Sequence, residues 1–455
     1  MSLNLHPVEE FLIAASVPRD YSHASGTLQR ANAILAAHPD VSASSIYAAA
    51  VLGDDAGVQR FLSLSPDHAT ARGGPYGWDA LTYLCFSRYL RLDAARSAAF
   101  ERAAAALLDG GADASTGWWE PTHQPNAVWE SALYGAAGVA QHAGVTRLLL
   151  ERGADPNDEE TPYHVPETYD LAVLRVLLAS GRLNAESMST LLLRKADWHD
   201  TEGVRLLLEH GADPNRMTRW GFTALHQAIR RDNDLAKITL MFDHGADPRL
   251  LTTQENRSAA SLAAQRGRGD VLALFDSRGF QIDLEGVERL LAVCARDDAR
   301  AIEGEVARQP GVVSKLIADG GSLLSIFAGN DNAAGVGHLL DLGVPVDVFF
   351  LHGDGYFGIA PLSTALHVAV WRACHAAVAL LLARGASVNR RDGSGRSALQ
   401  LAIRACVDSY WSGRRSPRSV ELLLAAGASV DGIVLPTGYD AIDGLLAPRL
   451  PQARP

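Results

Sequence analysis

Short apolar faces recur along the chain, each closed by a glycine and followed by a polar turn. In "LLLEHGADPN" (206–215), Val204, Leu206 and Leu207 place apolar side chains at i, i+3 spacing on a helix too short to bury its own face. Gly211 falls where that helix must end and can adopt the left-handed conformation of a stop, and Pro214 forbids a return to helix. Eight or so residues on, Thr223 can cap a new helix whose Ala224, Leu225 and Ala228 allow close packing. The pattern predicts a unit of helix, short bend, helix, glycine stop and finger-like turn.

The unit is repeated. "LLLERGADPN" (148–157), "LLLARGASVN" (380–389), "LLLAAGASVD" (422–431) and "ALLDGGADAS" (106–115) are clear copies; weaker ones end at Gly245, Gly279 and Gly343. Gly211, Gly245 and Gly279 are 34 residues apart, and Gly279 to Gly343 is 64, close to twice that period. Self-similarity at this period predicts units that bury their apolar faces only against their neighbours. Helix starts recur as "SALYGAA" (131–137), "STALHVAV" (363–370) and "SALQLAI" (397–403).

These strings resemble ankyrin repeats, whose roughly 33-residue pattern joins T-P-L-H-x-A to V-x-x-L-L-x-x-G-A-D. "TALHQAI" with "LLLEHGADPN" and "TALHVAV" with "LLLARGASVN" match most closely. Alanine stands in place of the motif proline at Ala132, Ala224, Ala365 and Ala398, which suits a helix start. The resemblance covers roughly 44–447, and the segments 74–89 and 192–215 are similar to stretches of large stand-alone bacterial ankyrin proteins of unassigned role. It implies an all-α solenoid of roughly ten helix–loop–helix units, and it implies that His226 and His367 tie successive turns together.

The expected organisation is an N-terminal helical cap over 1–43, a repeat block over 44–283, degenerate helical repeats over 284–335, a second block over 336–447 and a flexible tail over 448–455. Within the cap, 8–17 and 26–38 read as helices joined by the turn-like "PRDYSHAS", and 438–446 reads as a closing helix.

Composition narrows the function. The 52 acidic against 41 basic residues give a net charge of −11, which opposes phosphate backbones and anionic lipid, so neither nucleic acid nor membrane is an expected partner. The N-terminus lacks a basic region before its short apolar run, and the expected location is cytoplasmic. The four cysteines are far apart, without a C-x-x-C pair, and read as reduced core residues.

Chemistry-bearing motifs are sparse. Asp197, His199 and Asp200 in "KADWHDTEG" could form a hydrolytic or metal site, or simply the bend between paired helices. "RDGSGRSAL" (391–399) lacks the G-K-[ST] of a phosphate loop and reads as a finger turn; "RGRGD" (266–270) reads as a bend. No nucleophile, metal or cofactor signature emerges, and no enzyme is expected.

Aromatic residues in the connections are the distinctive feature. Trp118, Trp119 and Trp129 lie in the long finger 115–131; Phe349, Phe350, Tyr356 and Phe357 lie in a second, 347–363; Tyr163, Arg219 and Trp220 lie in shorter ones. Trp, Tyr and Arg dominate interface energetics. These residues, with the concave face that fingers and inner helices of a solenoid line, are therefore the candidate surface for a protein partner, and the chain is expected to act as a monomeric scaffold. The same fingers could instead sense a ligand or peptide. A separate basic, aromatic patch, Tyr410, Trp411, Arg414 and Arg415, falls between two helices of one unit and is expected to project away from the fingers.

Overall fold

The computed structural model describes residues 6–17, 26–122, 125–281 and 283–450, and it is built of short helices with two small antiparallel hairpins. The glycine stops behave as their spacing predicts. Gly111, Gly153, Gly211, Gly245, Gly279, Gly343, Gly385 and Gly427 all have φ between 79° and 102°. At most of them a Cβ would meet nothing within 4 Å, so the left-handed backbone, not crowding, is what selects glycine.

Helix starts are capped by hydroxyls, at Ser131 and Ser397 where the repeat pattern predicts them and at Ser258 where it does not. Ser131, Ser258 and Ser397 each accept the backbone N–H three residues on, at 2.9, 3.1 and 3.2 Å. At Thr364 the backbone N–H donates to His367 Nδ1 at 3.1 Å, which leaves Nε2–H to donate to the Arg390 carbonyl at 3.0 Å. His226 makes the equivalent bond to the Leu250 carbonyl at 3.0 Å. Both histidines are buried and tie one turn to the next, the role the repeat pattern implies.

The chain forms two compact units, 1–224 and 225–455. In the first, helices Pro7–Ala15 and Gln29–Ala37 pack together, and Phe11 and Leu12 bury the former against Ile46–Leu52. The turn expected at 18–25 lies outside the described residues. The core of this unit is aromatic, with Trp78, Tyr83, Phe86, Tyr89, Phe100 and Tyr134 buried.

In the second unit the degenerate stretch forms helices Gly286–Ala295, Ala299–Arg308, Val312–Ala318 and Gly320–Gly329, the last two bent by 76°. Gly286–Ala295 packs on Ala259–Gln265, and Gly320–Gly329 on Ala365–Trp371, so the weak sequence still stacks. Helix Asp440–Leu446 closes the unit through Ile442 and Leu446. Ala447–Arg449 forms a further 3-10 turn where a frayed tail was expected, because Leu450 N–H still reaches the Leu446 carbonyl; 451–455 lie outside the described residues. All four cysteines are free and buried, and burial pushes the Cys294 and Cys374 thiols up to about 12. Among the described residues no single helix is long and apolar enough to cross a membrane.

Candidate functional site: the aromatic fingers

The first long finger is a β-hairpin. Gly117–Glu120 pairs antiparallel with Val128–Ser131, placing Trp118 opposite Glu130 and Trp119 opposite Trp129. Alternation along a strand sends neighbouring side chains to opposite faces. Trp118 therefore turns inward, its ring 5.1 Å from Trp78 and 6.1 Å from Phe86, while Trp119 turns outward, 62% exposed, edge-on to the half-buried Trp129 at 5.4 Å. Gly117 is required here, since a Cβ would lie 2.3 Å from the Glu130 carbonyl oxygen. The hairpin is anchored at its base: Thr116 hydroxyl donates to Asp79, Arg72 donates to the Gly117 carbonyl at 3.2 Å, and Ser131 hydroxyl donates to Asp158 in the next finger.

Asp158 also accepts the Thr161 N–H at 2.8 Å, just ahead of helix Glu160–His164. Burial, reinforced by Glu160, pushes its carboxyl up to about 6 in spite of these bonds. The following fingers interlock. Tyr163 lies under the Arg194 guanidinium at 4.1 Å and beside Trp220 at 5.7 Å; Arg219 covers Trp220 at 4.7 Å and pairs with Glu159. Trp220 and Tyr163 are half-buried.

Asp197, His199 and Asp200 occupy the bend between Ala185–Asp197 and Thr201–Glu209. Each carboxylate has its own cation: Asp197 pairs with Arg194 at 2.7 Å, and Asp200 with the fully buried Lys195 at 2.7 Å. Asp200 also caps its helix by accepting Gly203 N–H at 2.9 Å. His199 adopts the turn, with φ 53°. The carboxylates are thus structural, and the geometry does not support a hydrolytic centre. Among the described residues no group of three or more His, Cys, Asp or Glu is arranged to hold a metal ion.

The second long finger has the opposite fate. Its base is zipped by Phe350 N–H to the Ser363 carbonyl at 2.7 Å, and its tip by paired bonds between Asp354 and Ile359 at 2.8 and 2.9 Å. The tip folds back along helix Ala365–Trp371, where Trp371 Nε1–H donates to the Phe357 carbonyl at 2.7 Å. Phe357 and Trp411 are both buried and share one cluster with Ile359 and Val368. Two expectations are corrected by this. Phe357 and Trp411 are core residues, not contact surface, and the 410–414 loop does not project away from this finger but packs on it as a 3-10 helix. The physical cause is burial of both rings in the apolar cluster with Ile359 and Val368, with the Arg372 guanidinium adding a cation 4.3 Å from the Phe357 ring and 4.8 Å from Trp411. Of the other candidates here, Phe349 is half-buried under Arg390 at 4.3 Å and Phe350 packs against the cluster. Tyr356 and Tyr410 are exposed; Tyr356 has Arg231 over its ring at 3.6 Å. Arg414 and Arg415, both exposed, lie over Trp411 and Tyr439 at 5.1 and 5.0 Å.

Arg372 belongs to a hub that no motif announced. It donates to Asp232 at 2.7 Å, although 140 residues separate them, and Arg266 and Asn330 converge on the same carboxylate. Burial raises the Asp232 pKa, but the Arg266 and Arg372 guanidiniums outweigh it and hold the carboxyl well below the usual range. The bends that contribute these residues, together with Gly267–Asp270 and Arg414, surround a polar cavity of about 470 Å³.

Comparison with known proteins agrees with the unit architecture. Residues 192–236 match a family model described as ankyrin repeats (many copies), and 362–393 match one described as ankyrin repeat. No curated protein matches the chain. Among solved structures, the human ASB11 ankyrin repeat domain is similar at 22% identity, covering 52% of this chain and 98% of that one, with a TM-score of 0.23. The matched segments contain the Gly211 and Gly385 stops and the buried T-A-L-H histidines His226 and His367 described above: the chain carries ankyrin repeats at 192–236 and 362–393.

Proposed function

We propose that the protein is a non-enzymatic adaptor, acting as a cytoplasmic monomer, that holds a partner protein against the aromatic fingers of its first unit. The observation that carries this reading is the Trp119–Trp129 pair, which stands on the outer face of a hairpin whose inner face is anchored by Trp118. Large exposed rings on a preorganised support lose little entropy on contact, which is the property of an interface anchor. The net charge of −11 favours a protein partner over nucleic acid or an anionic membrane. The test is affinity capture with the wild type and with Trp119→Ala/Trp129→Ala. A partner retained by the first and lost by the second, at unchanged melting temperature, supports the reading; equal capture by both removes it.

A second reading, a sensor for a small polar ligand, is supported by the cavity at the Asp232 hub, whose volume is in the range of ligand pockets. A thermal-shift screen with polar metabolites tests it, with Arg372→Ala as the control that abolishes any shift.

A further inference from the structure

The charge of the whole chain does not describe its second unit. Residues 225–455 carry 25 acidic against 24 basic side chains, a net −1, so the −11 of the full sequence does not bar an anion from this unit. The cavity beside Asp232 is built entirely from it, and apart from glycines only Leu235 and Ala295 interrupt a polar wall. The carboxylates on that wall are engaged. Asp232 is held by Arg266 and Arg372, Asp234 pairs with Lys237, Asp270 takes a two-point contact from Arg268 at 2.8 and 2.7 Å, and Asp331 accepts the Ala377 N–H at 2.9 Å. With Arg414, which also lines the cavity, five cations stand against these four carboxylates.

Two arginines on the wall keep bonding capacity in hand. Arg372 is 3% exposed and gives Nη1–H to Asp232 at 2.7 Å, while its Nε–H is buried without a hydrogen-bond partner among the described residues. An unpaired N–H on a buried guanidinium is costly, so an acceptor brought by a ligand gains more here than at a solvated donor. The Phe357 and Trp411 rings, 4.3 and 4.8 Å from the same guanidinium, keep its surroundings weakly polarizable and strengthen any charge contact made there. Arg414 is exposed and has no carboxylate within ion-pair distance among the described residues. It lies 5.1 Å from the Trp411 ring, so two guanidiniums gather about one indole and line one cavity, an arrangement that an anion between them would relieve.

We infer that this cavity binds a small polar metabolite through an oxyanion, a carboxylate or a phosphate monoester, held by Arg372 and Arg414. The inference rests on the ligand-sensor reading above and adds the ligand's chemistry. A guanidinium presents its N–H groups as a planar fork that matches the oxygens of both anions, and a charge-assisted bond is stronger than a neutral one. A cationic ligand would add to the positive surplus. A neutral one would supply an acceptor to Arg372 but no charge for Arg414, and an apolar one would find little wall to cover.

The test is isothermal titration calorimetry of the intact chain with 3-phosphoglycerate, citrate and inorganic phosphate, beside glycerol as a neutral probe and putrescine as a cationic one. At least one of the three oxyanions should bind with a Kd below about 1 mM. Arg414→Gln, at an exposed position, should weaken it about tenfold at unchanged melting temperature. Arg372→Lys keeps a cation for Asp232 but loses the Nε–H, and should weaken it about 30-fold. Equal affinity in the wild type and Arg414→Gln would overturn the inference. Binding of glycerol or putrescine instead of the oxyanions, lost in Arg372→Lys, would overturn the oxyanion chemistry and leave the sensor reading standing. Failure of all five probes to bind at about 10 mM would also overturn it, and the sensor reading would then be decided by the wider metabolite screen.

Discussion

The inserts 115–131 and 347–363 are alike in sequence and opposite in outcome. Each is a long finger with several aromatic residues ahead of a capped helix start. In the first, strand pairing divides the rings between faces, so Trp118 is anchored and Trp119 is left outside. In the second, the tip folds back along its own helix until Phe357 reaches Arg372, and the ring disappears into a cluster with Trp411. Aromatic content in a loop therefore does not decide exposure. What decides it is whether a cation or an apolar partner stands within reach, and for 347–363 that cation is held in place by a carboxylate from a distant repeat.

The comparison breaks most severely at Asp232. Asp232→Ala leaves Arg266 and Arg372 buried without their counter-ion and should cost about 3–5 kcal/mol in chemical denaturation of the whole chain. A loss below about 1 kcal/mol would mean that the hub does not hold the second insert. Phe357→Ala should cost about 3 kcal/mol by emptying the site between Trp411 and Arg372, whereas Tyr410→Ala, next in sequence to Trp411 but exposed, should stay within about 0.5 kcal/mol.

A smaller effect is expected in the support of the first insert. Because the folded Asp158 carboxyl titrates near 6, above its ordinary value, the folded chain binds a proton between about pH 4 and pH 6 that the unfolded chain does not. Stability from this group is therefore present at the acidic end of that window and is lost as pH rises through it. Asp158→Asn should remove this slope, worth on the order of 2–3 kcal/mol, from the difference between wild-type and variant melting curves. An unchanged slope would place Asp158 in an ordinary solvated setting. The smallest stability change belongs to Trp119→Ala/Trp129→Ala, under about 1 kcal/mol, because the outer rings do not pack into the core; the same substitution in the second insert's inner rings would not be tolerated so easily.

Local physics was legible from residue order. The left-handed stops at the glycines, the serine caps at 131 and 397, the turn-tying His226 and His367 and the bend at 197–200 each depend on groups within a few residues or within one repeat step, so spacing carries them. For 284–335 the sequence indicated degenerate helical repeats but not their stacking, which only the packing of Gly286–Ala295 on Ala259–Gln265 and of Gly320–Gly329 on Ala365–Trp371 decides. Two things were settled only when the repeats were stacked: the convergence of Arg266, Asn330 and Arg372 on Asp232, and with it which aromatic rings remain outside. Neither has a local signal, since a lone aspartate in "RRDND" and an arginine 140 residues later look like ordinary bend residues until the fold brings them to 2.7 Å. The repeated unit follows from short-range conformational preference, while the burial of the second insert beside Arg372 follows from long-range packing and charge pairing that sequence distance conceals.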